Sequence, residues 1–217
     1  MASGFYNVPK AVNEPINSYA PGTPERKALL DTYKKMFNEQ VEQVVLDMNG
    51  EVVPNLLAEK IDLSVEKKKA EADRLLPLFV FKNEKEKFYI LSVRGSGLWD
   101  EIWGYVALQT DLSTIEGVTF SHKGETPGLG ARITSPDVQQ RFQGKQIFDE
   151  SGNLQSVAMQ KGEGKDYSSD THKVDGLSGA TITANGVNNM LKNYLQYYSS
   201  FLSSQKSGNQ TEVVAEN

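Results

Sequence analysis

Three hydroxyl side chains lie close together in a glycine-containing stretch of the chain, Asp175-Gly176-Leu177-Ser178-Gly179-Ala180-Thr181-Ile182-Thr183. After this stretch the apolar residues recur every three or four positions, which predicts an amphipathic helix with the stripe Val187, Met190, Leu191, Tyr194, Leu195 and Tyr198. The first amides of a helix lack intrahelical partners, and its N-terminus is electropositive. The hydroxyls of Ser178, Thr181 and Thr183 would therefore lie where a phosphate binds well. A Ser/Thr-capped helix start without a ligand is the alternative interpretation.

A second glycine-rich stretch lies upstream, Gly124-Glu125-Thr126-Pro127-Gly128-Leu129-Gly130. It lacks the third glycine and the long following helix of a dinucleotide-binding fingerprint, so that motif is excluded. Its glycines would let backbone amides approach a ligand closely. A Pro-Gly turn between a strand and a helix is the alternative. His122 precedes the stretch, and its expected role is to orient this loop.

A third stretch carries the two tryptophans of the chain, Gly97-Leu98-Trp99-Asp100-Glu101-Ile102-Trp103. Trp103 opens a β-branched and aromatic run, so we expect it to be a core aromatic residue. Trp99 follows two glycines and is the better candidate to lie beside a planar ligand.

The composition excludes several kinds of site. The 217 residues carry a net charge of −5, which argues against general nucleic-acid binding because that requires a basic surface. The absence of cysteine excludes disulfides, thiolate metal sites and cysteine nucleophiles. With two histidines and no Ser-His-Asp set or paired-carboxylate motif, we predict neither a metal site nor catalytic residues. The longest apolar run, residues 75–81, is far shorter than the ~20 residues that a membrane-spanning helix needs.

The hydrophobic pattern predicts an α+β fold, with a mostly antiparallel twisted sheet packed with helices. A helix starts at Thr23-Pro24 and buries one face, formed by Leu29, Leu30, Tyr33, Met36 and Phe37. Asn49-Gly50 predicts a hairpin turn, and the charged residues 62–74 predict a solvated helix. Strands are expected over residues 78–81, 88–93, 103–108 and 118–120. A short helix over residues 137–142, strand candidates at 147–148 and 157–159, and the C-terminal helix over residues 187–202 complete the pattern.

The first two stretches resemble motifs of the FMN-binding domain family, which are Ser/Thr-Gly-Ala-Thr-x-Thr and Glu-Thr-Pro-Gly-Leu-Gly. The resemblance implies that FMN is joined through its phosphate to the last threonine of the motif, Thr183, at the start of the C-terminal helix. It also implies that the surrounding turn supports the phosphate through Leu177, Ser178, Gly179, Ala180 and Thr181. The remaining cofactor contacts that it implies come from Glu125, Thr126, Gly128, Leu129, Gly130 and Trp99.

The stretch from Gly97 to Leu108 is similar to one in a family of FMN-carrying subunits of sodium-translocating NADH:quinone oxidoreductases. This resemblance implies an electron-transfer subunit with covalent FMN and no catalytic site of its own. The implied partners are the other subunits of the complex and the flavin transferase that attaches FMN. The implied location is the bacterial inner membrane, with this domain facing the periplasm and held by an N-terminal membrane helix that is absent here.

Three alternatives stay open at this point. The related flavin-carrying subunit of an Rnf-type electron-transport complex would share the flavin chemistry, although it matches the tryptophan stretch less well. A sensory or interaction module could keep the fold without flavin. A flavin-dependent reductase would need a further domain, for which the chain is too short. Within the preferred interpretation, residues 1–22 are an extended arm after a missing membrane anchor, residues 23–202 form a single FMN-binding domain, and residues 203–217 are a disordered tail.

Overall fold

The computed structural model describes residues 19–38, 40–82 and 86–206. These residues belong to two compact units, residues 1–39 and residues 40–217. The first unit contains the helix α1, Pro24–Asn38. Its start at Pro24 confirms the predicted capping sequence, because proline is well suited to the first helical position.

The predicted buried face of α1 is wrong for the residues whose side chains are described. Leu29, Leu30 and Tyr33 are all exposed, because a lone helix has no second layer within its own unit to cover an apolar stripe. The side chains at positions 36 and 37, which were predicted to share this face, lie outside the described part of the structure, as do residues 1–18 of the predicted arm and residues 207–217 of the predicted tail.

The second unit is built on a five-stranded antiparallel sheet with the order β1-β2-β3-β4-β5. The strands are β1 (Gln40–Leu46), β2 (Leu76–Lys82), β3 (Lys87–Ser96), β4 (Glu101–Leu108) and β5 (Ile115–His122). Alternate residues of each strand face the core, as Ile102, Val106 and Leu108 of β4 do. This arrangement confirms the predicted antiparallel sheet, since each strand pairs with its neighbour in sequence.

The alternation in β4 also corrects one expectation. Trp103 lies between the inward-facing Ile102 and Gly104, so its side chain is on the opposite face of the sheet and only half-buried. There the guanidinium carbon of Arg94 lies 5.8 Å from the centroid of its ring. Trp103 is therefore not a core residue but half of a cation–π pair.

The segment between β1 and β2 differs from the predicted solvated helix over residues 62–74. It forms a short 3-10 turn (Ala58–Lys60), the helix α2 (Leu63–Glu66) and a second 3-10 turn (Glu71–Asp73). The chain folds back around Glu66, whose buried carboxylate accepts hydrogen bonds from the amide of Leu75 and the ammonium of Lys69, both at 2.9 Å. The predicted turn at Asn49-Gly50 is present, with Leu46 and Val52 bridged across it.

After β5 the chain forms a 3-10 turn (Gly130–Thr134) and the helix α3 (Pro136–Gln140), followed by β6 (Ala158–Met159) and β7 (Lys173–Val174), which pair in parallel. The short helix and the strand at residue 159 agree with the predictions. The last element is the helix α4, Thr181–Lys206. It starts six residues before the predicted Val187 and ends four after the predicted Leu202. Apart from Ile182, residues 181–186 and 203–206 are small or polar and carry no apolar period.

The predicted apolar stripe of α4 is fully buried against the inner face of the sheet. The hydroxyl of Tyr198 donates to the carbonyl oxygen of Pro77 at 2.7 Å, which ties the helix to β2. Nearer its N-terminus, the helix approaches β3 so closely that a Cβ at Gly186 would overlap the carbonyl oxygen of Ser96. This packing fixes the N-terminus of α4 beside the end of β3. Among the described helices, none combines the length and the hydropathy of a membrane span.

Candidate functional site

The N-terminus of α4 is the place where the three motifs meet. Residues 175–180, called here the hydroxyl turn, lead into α4 through Gly179, whose φ of +73° is accessible to glycine at little cost. The amide of Ala180 donates to the carbonyl oxygen of Leu177 at 3.2 Å and closes the turn. Thr183 is the third residue of α4, and its side chain points inward with 1% of its surface exposed. Ser178 is exposed and Thr181 is half-buried.

The hydroxyl of Thr183 donates a hydrogen bond to Oε2 of Glu125 at 2.5 Å. Glu125 lies in the stretch 124–130, called here the glycine loop, and is itself 4% exposed. Its other oxygen, Oε1, accepts the amide of Trp99 at 3.0 Å. One carboxylate therefore joins the glycine loop, the tryptophan stretch and the first turn of α4.

The charge of this carboxylate is stabilised where it is buried. Burial alone raises the pKa of Glu125, but hydrogen bonds from the Thr183 hydroxyl and from the amides of Trp99, Leu98 and Asp100 outweigh it. The net result is a pKa below the ordinary value of 4.5. Glu125 is thus an ionised acceptor that is aimed at Thr183 at neutral pH.

Glycines make this approach sterically feasible. A Cβ at Gly130 would lie 2.5 Å from Oγ1 of Thr183 and would overlap Oε2 of Glu125. A Cβ at Gly97 would overlap Oε1 of the same carboxylate. The glycines are therefore required here for close packing around Glu125, and Gly128, with a φ of +75° and open space around it, is required for the turn.

The structure also shows what holds the glycine loop in place. The amide of Glu125 donates to Nδ1 of His122 at 3.2 Å, which agrees with the orienting role expected for that histidine. The indole Nε1 of Trp99 donates to the hydroxyl of Thr126 at 3.1 Å. Both contacts attach the loop to the end of the sheet, at His122 on β5 and at the segment between β3 and β4.

Large apolar side chains are exposed around this cluster. Trp99 is 69% exposed, and Leu129 is exposed beside Gly179 of the hydroxyl turn. Two further residues, Leu98 and Ile182, are also exposed but are absent from the predicted set. Each adjoins a predicted site residue in sequence, and nothing in its own pattern identified it. Together the four side chains give the site an apolar outer surface that a flat aromatic ligand would cover.

Sequence reasoning missed an ionic cluster that braces the hydroxyl turn. The carboxylate of Glu163 accepts two hydrogen bonds from Arg132, at 2.6 and 2.9 Å, one from Arg141 at 3.0 Å and one from the amide of Ser178 at 3.1 Å. Arg141 also donates to the carbonyl oxygen of Gly176 at 2.6 Å. Arg132 lies in the 3-10 turn and Arg141 directly follows α3, whereas Glu163 lies 22 residues further along in a polar loop, and only the fold brings them together.

The Glu163 cluster predicts a specific response to acid. Hydrogen bonds from Arg132, and after it from the amide of Ser178 and from Arg141, lower the pKa of Glu163 from 4.5 to about 2. A carboxylate with a lowered pKa stabilises the fold at pH values above its unfolded pKa, and this contribution is lost as the pH falls through the folded pKa. Because the group is partly solvated, we expect Glu163→Gln to reduce the free energy of unfolding by about 1–2 kcal/mol at neutral pH.

The measurement is urea unfolding of both proteins between neutral pH and pH 2. The difference between wild type and Glu163→Gln should shrink from pH 4.5 downwards and should be smallest near pH 2, where about half of the wild-type carboxyl is itself protonated. Glu150→Gln, at an exposed position, is the matched control and should show little difference at either pH. A difference for Glu163→Gln that stayed constant with pH would contradict this account.

The described residues contain no group of three or more His, Cys, Asp or Glu that could hold a metal ion. The site is a cluster of hydroxyls, glycine backbone and exposed apolar side chains at a helix N-terminus. Its arrangement is that of a protein that holds a phosphorylated aromatic cofactor.

Comparison with known proteins agrees with this class. The fold and the site define an FMN-binding domain, and the FMN-binding domain family matches residues 97–196, which include all three motifs. The chain belongs to the NqrC family, whose members are subunits of the Na(+)-translocating NADH-quinone reductases. This confirms the resemblance and FMN as the cofactor of the family.

Two solved structures show the same fold. The NqrC subunit of Na(+)-translocating NADH-quinone reductase from Parabacteroides distasonis is 37% identical, with a TM-score of 0.68 over 80% of this chain and 83% of that one. NqrC from Shewanella oneidensis is 27% identical, with a TM-score of 0.67 over 81% of this chain and 88% of that one.

A curated relative from Neisseria meningitidis, named as the NqrC subunit of Na(+)-translocating NADH-quinone reductase, is 37% identical over 70% of this chain and 65% of its own length. A relative of the same name from Yersinia pestis is 43% identical over 49% of this chain and 39% of its own. The chain therefore spans less than two thirds of the length of the curated relatives it matches here.

Proposed function

We propose that this chain is the FMN-carrying electron-transfer subunit of a sodium-translocating NADH:quinone oxidoreductase, with FMN joined through its phosphate to Thr183. The observation that carries the proposal is the convergence of the two FMN motifs on one atom. Oγ1 of Thr183, from the first motif, lies 2.5 Å from the carboxylate of Glu125, from the second. Family membership supports FMN as the ligand.

The residues present fit FMN. A phosphate on Thr183 would lie within the first turn of α4, where free amides and the positive end of the dipole stabilise its charge. The hydroxyls of Ser178 and Thr181 and the glycine backbone at Gly179 would support it. The exposed apolar side chains of Trp99 and Leu129 would cover the ring. When bound, FMN supplies the reversible acceptance and release of electrons, which no side chain of this chain provides.

Attachment of FMN through its phosphate suits a protein that carries electrons. A covalent bond prevents loss of the cofactor, and a link at the phosphate leaves the electronic properties of the ring to the local hydrogen bonds and burial. The chain itself would then need no catalytic acid or base for the redox reaction. Its role would be to hold FMN at a fixed place between neighbouring redox centres.

The remaining parts of the proposal rest on the names of the relatives and on the family resemblance. The other subunits of the oxidoreductase would be the partners, and a separate flavin transferase would attach FMN. The domain would face the periplasm beside the inner membrane, to which an N-terminal helix would anchor it. The Rnf-type and flavin-free alternatives are not favoured, because the matched relatives are named as subunits of the Na(+)-translocating reductase and the FMN-binding family covers this site.

Covalent attachment can be tested directly on the wild-type protein. The chain is produced with and without a flavin transferase, denatured and separated by electrophoresis. We expect flavin fluorescence to stay with the denatured polypeptide only after production with the transferase, together with a mass gain of FMN less one water. Flavin that is released on denaturation of that sample would contradict covalent attachment.

A further inference from the structure

Esterification of Thr183 has a requirement that the proposed function leaves open. The hydroxyl must lose its proton when it bonds to phosphorus. For a flavin donor whose phosphate is activated as a phosphoanhydride, a bond forms between Oγ1 and phosphorus while the anhydride P–O bond breaks. A nucleoside monophosphate leaves with the electrons of that bond, and the proton of Oγ1 must pass to an acceptor. No oxidation or reduction takes place in this step.

We propose that Glu125 is the residue that positions the Thr183 hydroxyl and accepts its proton during FMN attachment, an inference that rests on the attachment proposed above. Oε2 of Glu125 already accepts the hydroxyl proton in a 2.5 Å hydrogen bond. That contact directs the O–H bond towards the carboxylate and leaves the oxygen lone pairs for the attack on phosphorus. Since Glu125 touches the reacting oxygen, it acts as a catalytic group supplied by the protein that is being modified.

The surroundings of Glu125 suit this role. The carboxylate is held from its far side by the amide of Trp99, at 3.0 Å from Oε1. It is buried yet ionised, because its hydrogen bonds lower its pKa in spite of burial. Phosphoryl transfer passes through a loose transition state, and in protein kinases an aspartate accepts the proton of the substrate hydroxyl. A weakly basic carboxylate at this distance is therefore a sufficient acceptor.

Access to Oγ1 requires part of the glycine loop to move. Thr183 is 1% exposed, and the backbone of Gly130 packs directly against its hydroxyl. The neighbouring tip at Gly128 and Leu129 is exposed, and Leu129 is held through its amide by the carbonyl oxygen of Thr126 at 3.1 Å. Glu125 is fixed separately by Trp99 and His122. Gly130 would move together with this tip to uncover Oγ1, while the separate contacts of Glu125 keep the acceptor carboxylate in place.

The test measures the initial rate at which a purified flavin transferase attaches FMN to this chain, with the chain as the varied substrate. Flavin on the denatured polypeptide and intact mass give the amount attached. We expect Glu125→Gln, which keeps the shape but cannot take the proton, to lower kcat by ~100-fold or more with KM for the chain unchanged. Glu125→Asp keeps a carboxylate that is one methylene shorter, so its kcat should lie between those of wild type and Glu125→Gln.

Glu116→Gln, the same chemical change at a position on β5 outside the glycine loop, is the matched control and should behave as wild type. Urea unfolding shows whether each variant is folded. If Glu125→Gln does not fold, Glu125→Asp serves as the test variant, and its kcat should be lower than that of wild type at an unchanged KM. The proposal is overturned if Glu125→Gln keeps the wild-type kcat, or if either variant acts only by raising KM. Wild-type protein that gains no covalent flavin would instead overturn the proposed function.

Discussion

Thr183→Ala is expected to abolish covalent attachment of flavin while the protein remains folded. The variant lacks Oγ1, the atom through which the phosphoester would form. Alanine suits a helix at least as well as threonine does, so α4 should keep its N-terminus. The lost hydrogen bond leaves Glu125 with the backbone amides of Trp99, Leu98 and Asp100 as donors. We therefore expect a reduction of about 1–3 kcal/mol in the free energy of unfolding, which a domain with a large core tolerates.

Thr183→Ser is the matched control, because it keeps a hydroxyl at the same position and should still become flavinylated. Each protein is produced with the transferase, denatured and examined for bound flavin by fluorescence and intact mass. Peptide mass spectrometry should place the added FMN on Thr183 and not on Ser178 or Thr181. Retention of covalent flavin by Thr183→Ala would show that another residue is the acceptor and would exclude Thr183 from that role.

The elements that position the site could be predicted because their patterns are local. The stripe from Val187 to Tyr198 needs only the 3.6-residue period of a helix. The strands around residues 78–108 follow from β-branched and aromatic runs separated by short charged connections. In both cases a few neighbouring residues specify which face is buried.

The chemistry inside the site was less accessible to prediction. The sequence singled out the glycine loop and Thr183, and the expected contact of Glu125 with the flavin stays a prediction. What the sequence did not predict is the hydrogen bond that the Thr183 hydroxyl donates to the Glu125 carboxylate. This pairing joins residues 58 positions apart, and it depends on the packing of α4 against β3. Glu163 is a stronger example, because its charge resembles that of other acidic residues in polar loops until the fold places Arg132 beside it.

Close packing between distant segments also explains the role of Gly176, which the motif alone left unspecified. Gly176 lies in the hydroxyl turn, and its φ is not in the left-handed region, so its backbone conformation would accept alanine. The space around Gly176 would not accept alanine, because a Cβ there would overlap the carbonyl oxygen of Gln160 and would contact that of Gly162. Both neighbours are backbone atoms of the segment that carries Glu163. The absence of a side chain at Gly176 therefore lets this segment close against the hydroxyl turn.

Gly176→Ala is expected to destabilise the protein by about 3 kcal/mol, since neither backbone can yield without breaking the contacts around it. The carbonyl of Gly176 accepts Arg141 at 2.6 Å, so separation of the two segments would also weaken the brace from Arg141 and Glu163. The measurement is the midpoint of urea unfolding, compared at an unchanged slope. Flavin attachment should fall as well, because Ser178 would lose its anchor on Glu163.

Gly117→Ala provides the matched control for the same atomic change. Gly117 lies in β5 with open space where a Cβ would be, and its φ is outside the left-handed region. Replacement of glycine by alanine at such a position should leave the stability unchanged or raise it by about 0.4–1 kcal/mol, because the unfolded chain loses conformational freedom. Equal unfolding midpoints for the two variants would refute the steric explanation, whereas a large loss confined to Gly176→Ala would show that the hydroxyl turn depends on its contact with residues 160–162.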